Sequence, residues 1–182
     1  RCCFDIVLPN DAPTVENISE SVDEDGSIVI TLDGSDGDDD SLTFSIVNSA
    51  SNGTLNWLNG TQLRYTPNSN YNGSDTFTYK ANDGTQDSNT ATVTITVQAV
   101  NDAPTTNDVS STIDENRIAI VANLTLDGND VDGDDLTYSL LTSPSNGSVS
   151  INGNILTYNA DQDWNGTETF TYKANDGQLD SN

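Results

Sequence analysis

Phe77-Thr78-Tyr79-Lys80-Ala81-Asn82-Asp83-Gly84 returns unchanged over all eight residues as Phe170-Thr171-Tyr172-Lys173-Ala174-Asn175-Asp176-Gly177. Working outward from this segment, the match continues in order along the chain. Asn10-Asp11-Ala12-Pro13-Thr14 recurs at Asn101 to Thr105, an offset of 101 minus 10, or 91 residues. Val22-Asp23-Glu24-Asp25 is answered by Ile113-Asp114-Glu115-Asn116, and Leu42-Thr43-Phe44-Ser45-Ile46 by Leu136-Thr137-Tyr138-Ser139-Leu140. Ser51-Asn52-Gly53-Thr54 is answered by Ser145-Asn146-Gly147-Ser148. An internal repeat of this length is the size of one small β-sandwich, so the chain reads as two tandem domains.

Inside each repeat, apolar residues alternate with Ser and Thr at period two. Ser27 to Leu32, Thr76 to Tyr79 and Ala91-Thr92-Val93-Thr94-Ile95-Thr96-Val97 all follow this pattern. It puts one face in a core and the other in water, the signature of antiparallel strands. Asn-Gly pairs beginning at Asn52, Asn59, Asn72, Asn146, Asn152 and Asn165 punctuate the strands as tight turns in which the glycine supplies positive φ. No stretch has a helical period. The predicted architecture is all-β: two immunoglobulin-like sandwiches of roughly seven strands each, joined at Ala99 to Pro104. The domain plan is an orphan strand at 1–9, a first sandwich at 10–100 and a second at 101–182.

Charge narrows the function classes. The 182 residues carry 29 acidic and five basic side chains and no histidine, a net charge of −24. Such a surface repels nucleic acid and anionic lipid and attracts cations. Several carboxylates lie one or two residues apart, where they repel unless a counter-ion or high salt offsets them. No apolar run of 18 residues exists, so no helical membrane span is expected. No signal peptide is visible, and the numbering reads as starting on a mature chain or a fragment. Without histidine, and with the carboxylates in turns, acid–base catalysis has no obvious apparatus, and the chain is not expected to be an enzyme. The two cysteines, Cys2 and Cys3, are adjacent, which suits neither an unstrained mutual bridge nor a zinc spacing. A bond to another segment and a pair of reduced, packed thiols both remain open.

The N-D-A-P junction, the D-E-D triplet, the D-x-D-G-D run, the N-G-T/S turn and the segment Tyr71 to Gly84 continuing through Asp87 to Val97 together resemble the bacterial cadherin-like tandem repeats of large secreted adhesins, including the RTX type. The resemblance spans the chain from Asn10 onward. It implies an extracellular, bacterial cell-surface location, adhesive or spacing roles, and domain junctions stiffened by Ca2+. Calcium takes six to eight oxygen ligands, and alternating Asp on a loop supplies them at short spacing. The expected ligands are Asp130, Asp132 and Asp134 in the second repeat, with Gly133 making the turn, and Asp36, Asp38 and Asp40 in the first, where the glycine has moved. The resemblance adds Asp102 from the linker, Asp11 by analogy, and the acidic triplets centred on Glu24 and Glu115, brought to the same end of the sandwich. The same loops also read as solvated polar turns, and Asp83 and Asp176 as either ligands or turn formers.

The repeats differ at their ends. After Asp87-Ser88-Asn89 the first runs on into Thr90 to Val97, whereas the second stops at Asp180-Ser181-Asn182, so the second sandwich is expected to be short of its last strand. Conversely, residues 1–8 precede the first N-D-A-P-T with no sandwich of their own and place Cys2, Phe4, Ile6 and Leu8 on one face. Residues 1–8 are therefore expected to act as a donor strand that completes the second sandwich of another copy, giving a linear head-to-tail polymer. The other reading is a two-domain window of a longer repeat array, whose partners are its neighbouring repeats. Glycans are a further class of partner, through Trp57, Trp164 or Tyr71. Trp57 aligns with Ile151, however, and Trp164 with Tyr71, which favours packing roles.

Overall fold

The computed structural model describes residues 9–112 and 121–182. Cys2, Phe4, Ile6, Leu8 and Glu115 lie outside the described residues. All regular structure among the described residues is β-strand, and the chain divides into two units, Arg1–Val100 and Asn101–Asn182.

In the first unit, β1 (Thr14–Val15) will pair with β4, and β2 (Ile18–Asp23) lies at the edge of a larger sheet. Strand β3 (Ile28–Thr31) is followed by β4 (Gly34–Ser35), β5 (Thr43–Asn48), β6 (Gly53–Trp57) and β7 (Gln62–Pro67). Two long strands close the unit, β8 (Gly73–Asn82) and β9 (Ala91–Gln98). One sheet has the order β2-β9-β8-β5, parallel between β2 and β9 and antiparallel elsewhere; the other has the order β3-β7-β6. Alternation explains why β9 sits in the middle of its sheet. Val93 and Ile95 are fully buried, and Ala91 and Val97 nearly so, while the threonines between them point away from the core. These side chains share one core with Phe77, Tyr79 and Ala81 of β8 and with Ile30, Leu63 and Tyr65 of the facing sheet.

The Asn-Gly turns follow the expectation in part. Gly73, Gly147, Gly153 and Gly166 have positive φ, but Gly53 and Gly60 do not. At Gly53 the requirement is space, because a Cβ there would lie 2.4 Å from the Tyr65 ring. At Asn59-Gly60 the side chain makes the turn: Asn59 Oδ1 accepts from the amides of Thr61 and Gln62, each at 2.9 Å.

The second unit repeats the plan with fewer strands among the described residues. β10 (Thr105–Asn107) pairs with β12 (Asp127–Asn129), as β1 pairs with β4. β11 (Val121–Thr125), β15 (Ile155–Ala160) and β14 (Gly147–Asn152) form a sheet in that order, the counterpart of β3-β7-β6. β13 (Thr137–Leu140) pairs with β16 (Tyr172–Asn175), as β5 pairs with β8. Among the described residues no strand takes the place of β9. Val109 to Thr112, which match the start of β2, are not in a strand, because β2 bonds only to β9. Among the described residues the core of this unit has Leu126, Leu156 and Tyr158 buried at its centre.

Candidate metal centre

The Asp-rich loop of the first unit is folded by its own side chains. Asp36 Oδ1 accepts from the amides of Asp38 (2.8 Å) and Asp40 (3.2 Å), which curls the loop around the Asp36 carboxylate. Asp38 Oδ2 in turn accepts from the Asp11 amide at 2.7 Å, so the segment entering the sandwich is tied to the loop. Asn10 Nδ2 donates to Asp83 Oδ2 at 2.8 Å, and Gln86 Nε2 donates to the Asn10 carbonyl at 2.8 Å.

The second unit reproduces the loop and its tie to the entry segment, with the glutamine one position earlier in the turn and bonded to the Asn101 side chain rather than to a backbone carbonyl. Asp130 Oδ1 accepts from the amides of Asp132 (2.9 Å) and Asp134 (3.3 Å), and Asp132 Oδ2 accepts from the Asp102 amide at 2.8 Å. Asn101 Nδ2 donates to Asp176 Oδ2 at 2.9 Å, and Gln178 Nε2 donates to Asn101 Oδ1 at 2.7 Å. Even the displaced glycine is reconciled. Gly133 has φ 81°, and Asp39, which occupies the matching position, has φ 62°. Aspartate tolerates this left-handed conformation better than most residues, so the two loops share a backbone although their sequences differ.

Asp83 and Asp176 act as turn formers that grip the entry segment. Asp83 Oδ1 accepts from the amides of Thr85 (2.6 Å) and Gln86 (2.7 Å), and Asp176 Oδ1 from those of Gln178 and Leu179, each at 2.6 Å. The Asn10 side chain, then the Gln86 and Thr85 amides, hold the Asp83 carboxyl well below the usual carboxylate range. For Asp176 the Leu179 amide leads, followed by the Asn101 side chain and the Gln178 amide. Sequence reading passed over Asn10, Asn101, Gln86 and Gln178. The available signal was that both partner segments, N-D-A-P and A-N-D-G, recur together.

One oxygen in each loop has no place in this network. Asp36 Oδ2 and Asp130 Oδ2 are buried and have no hydrogen-bond partner. A carboxylate oxygen shielded from water without a donor is costly, and a cation is one means of offsetting that cost. The donor set is hard oxygen, which suits Ca2+ rather than a transition metal. Among the described residues no group of three or more acidic, histidine or cysteine side chains is poised to hold a metal unaided. A calcium ion here would need backbone carbonyls and water to complete six to eight ligands.

Glu24 is placed differently from the expectation that it shares an end with the Asp loop of its own sandwich. It follows β2, which runs parallel to β9, so it lies beside Gln98 at the far end from Asp36, Asp38 and Asp40. The length of β9 separates the two ends, about 25 Å for eight residues of strand. Glu24 is 3% exposed; its amide donates to the Gln98 carbonyl at 2.9 Å and its Oε1 accepts from the Val100 amide at 2.7 Å. It holds the chain where it leaves the first sandwich. Of the aromatic candidates, Tyr71 packs against the first core, Trp164 is half-buried and Trp57, the last residue of β6, is 45% exposed.

Two sandwich units, each with an Asp-rich loop lashed to its own entry segment, define a tandem all-β repeat module. The family model of the bacterial Ig domain matches residues 10–96 and again residues 101–182, and the chain belongs to that family. It is similar to two proteins of Dictyostelium discoideum. Integrin beta-like protein B is 34% identical over 111 residues, covering 52% of this chain and 6% of the relative. Integrin beta-like protein A is 31% identical over 215 residues, covering 97% of this chain and 11% of the relative. The chain thus spans about a tenth or less of these relatives. Among solved structures it resembles protocadherin gamma B2 extracellular cadherin domains 3–6, at 13% identity and TM-score 0.48, covering 94% of this chain and 45% of that one. It also resembles an endo-fucoidan hydrolase of glycoside hydrolase family 107, at 20% identity and TM-score 0.40, covering 93% of this chain and 27% of that one.

Proposed function

We propose that this chain is a calcium-stiffened spacer of an extracellular adhesive structure on a bacterial surface, with no catalytic role. The observation that carries the reading is the recurrence, in both sandwiches, of a buried and unpartnered oxygen at Asp36 and Asp130 within matching carboxylate loops. Asp36, Asp38 and Asp40, with Asp11, would hold calcium in the first unit; Asp130, Asp132 and Asp134, with Asp102, would do so in the second. The ion would supply charge neutralisation and rigid oxygen coordination. It would also fix each entry segment to its sandwich, while Glu24 holds the exit at Val100. Glu115 would play the part of Glu24 in the second repeat. Two anchored ends leave a short linker, which is how a chain of modules transmits force or holds distance.

The filament reading extends this. Residues 1–8 of one copy would complete the second sandwich of the next, so that the spacers assemble head to tail. The integrin-like names of the relatives accord with an adhesive setting.

Calorimetry with a calcium titration tests the metal reading. A ligand that binds only the folded state at a hundredfold excess over Kd adds about 2.7 kcal/mol, on the order of 10 °C for a sandwich of this size. Asp130→Ala should remove the response of the second sandwich and leave that of the first. Identical melting in calcium and in chelator would overturn the proposal.

A further inference from the structure

In the first sandwich the chain enters and leaves along one seam. β2 pairs in parallel with β9, from Ile18 opposite Val93 to Asp23 opposite Gln98, and with no other described strand. Because the two strands are parallel, the chain enters β2 at the end where β9 begins, and it leaves β9 at the opposite end. Tension between the entry and exit segments therefore slides the strands past each other along their length. Every rung of the ladder is then loaded at once, whereas strands pulled apart from one end give up their rungs in turn.

Side chains carry the seam past both ends of the strands. One residue before β2, Asn17 Oδ1 accepts from the Thr92 amide at 2.8 Å, in the register set by Ile18 and Val93. Further out, Asn89 grips the backbone of Val15 twice. Its Oδ1 accepts from the Val15 amide at 3.0 Å, and its Nδ2 donates to the Val15 carbonyl at 2.8 Å. At the exit end the Glu24 amide donates to the Gln98 carbonyl at 2.9 Å, and Glu24 Oε1 accepts from the Val100 amide at 2.7 Å. The contacts thus run from Val15 to Glu24 on one side and from Asn89 to Val100 on the other. Val93, Ile95 and Val97 are buried beneath the seam, and Glu24 is itself buried, which shields these bonds from exchange with water. The opposite edge of the same sheet is built otherwise: the pairing of β5 with β8 is interrupted by a register shift between Ile46 and Asn48.

We infer that this seam is the load-bearing joint of the first sandwich, and that Asn17, Asn89 and Glu24 set the tension at which it yields. This deepens the spacer reading and rests on it, since a spacer held at both ends is stretched between them.

The test is single-molecule pulling of the full chain in chelator, through handles on pairs of cysteines introduced at exposed positions in a Cys2→Ser/Cys3→Ser background. Ala12→Cys with Ala103→Cys loads the seam along its length; Asp25→Cys with Ala103→Cys opens the same seam from its exit end. Forced unfolding reports the rate of escape from the folded state rather than equilibrium stability. The first geometry should need several times the force of the second. Asn89→Ala should lower the force in the first geometry and leave the second unchanged, because unzipping starts at Glu24, at the far end. Glu24→Ala should lower both. Asn59→Ala is the control: it removes the bonds to Thr61 and Gln62 in a hairpin turn outside the seam. It should lower the melting temperature without moving the rupture force. Equal forces in the two geometries overturn the inference, and so does a loss of rupture force in Asn89→Ala no larger than in Asn59→Ala. The comparison of geometries needs no seam variant, so it decides the question even where Asn89→Ala does not fold. Calcium is absent and Ala12 lies beyond the Asp11 tie, so the outcome is separate from the calorimetric test of the metal reading.

Discussion

Gly73-Ser74-Asp75-Thr76-Phe77-Thr78 and Gly166-Thr167-Glu168-Thr169-Phe170-Thr171 are nearly the same peptide in two settings. The first is the opening of the ten-residue strand β8; the second forms no strand, and regular pairing begins only at Tyr172. Phe77 is 1% exposed, whereas Phe170 is only half-buried. Local propensity cannot account for the difference, since the residues scarcely differ. What differs is the neighbour: β9 pairs with residues 73–79, and nothing among the described residues does the same for 166–171. A strand is stable through its cross-strand partners and the burial they bring, so the same peptide is ordered in one repeat and left irregular in the other.

The acidic residue in this segment sharpens the contrast. Asp75 is 3% exposed and accepts from the Ser51 and Thr76 amides, the Asn52 amide at 2.9 Å and Tyr65 Oη at 2.8 Å. Burial works to raise its pKa, but these four donors outweigh it and hold the carboxyl below the ordinary value. The same burial, with the adjacent carboxylate, pushes the Tyr65 phenol up. Glu168, half-buried, accepts from the Ser145 amide and from Asn146, with no buried phenol among its donors.

If β9 is what separates the two repeats, its removal should make them alike. Ile95→Ala should cost the first sandwich about 3 kcal/mol, from lost burial plus the cavity left behind. In urea unfolding, the higher of two transitions should fall towards the lower. Two transitions that keep their spacing would break the comparison.

Asp75→Ala should come next, at about 2 kcal/mol, because it strands buried donors. Glu168→Ala should shift the second transition far less. The pH dependence follows from the sign of the shift. A carboxyl whose folded pKa lies below its unfolded value stabilises fully above the unfolded value, near 3.8, and loses that contribution as pH falls through the folded value. Acid melting of the first sandwich between about pH 4 and 2 should therefore be steep in the wild type and shallower in Asp75→Ala. The smallest expected effect is at the loop turns. Asp39→Gly should stabilise the first sandwich by about 1 kcal/mol, and Gly133→Ala should destabilise the second by a similar amount. Equal and null effects would mean that the loops do not share a backbone.

Much of this was legible in the chain. The alternation through Ala91 to Val97 announced a buried strand, and the paired N-D-A-P and A-N-D-G segments announced two copies of one domain. The Asp loops could be marked from spacing. Their internal wiring could not, because Asn10 meets Asp83, and Asn101 meets Asp176, across more than seventy residues. Nor could the position of Glu24: the triplet around it looks like one more piece of the same cluster until the parallel pairing of β2 with β9 carries it to the far end.

The sequence by itself determined the β-class, the repeat, its period and the chemistry of its loops, because alternation, turn residues and charge are local properties. Only the tertiary structure decided which residues with strand-forming sequence became strands, which carboxylates became buried and which end of the sandwich each occupies. Those outcomes depend on partners far along the chain, and a peptide cannot encode a neighbour that it does not contain.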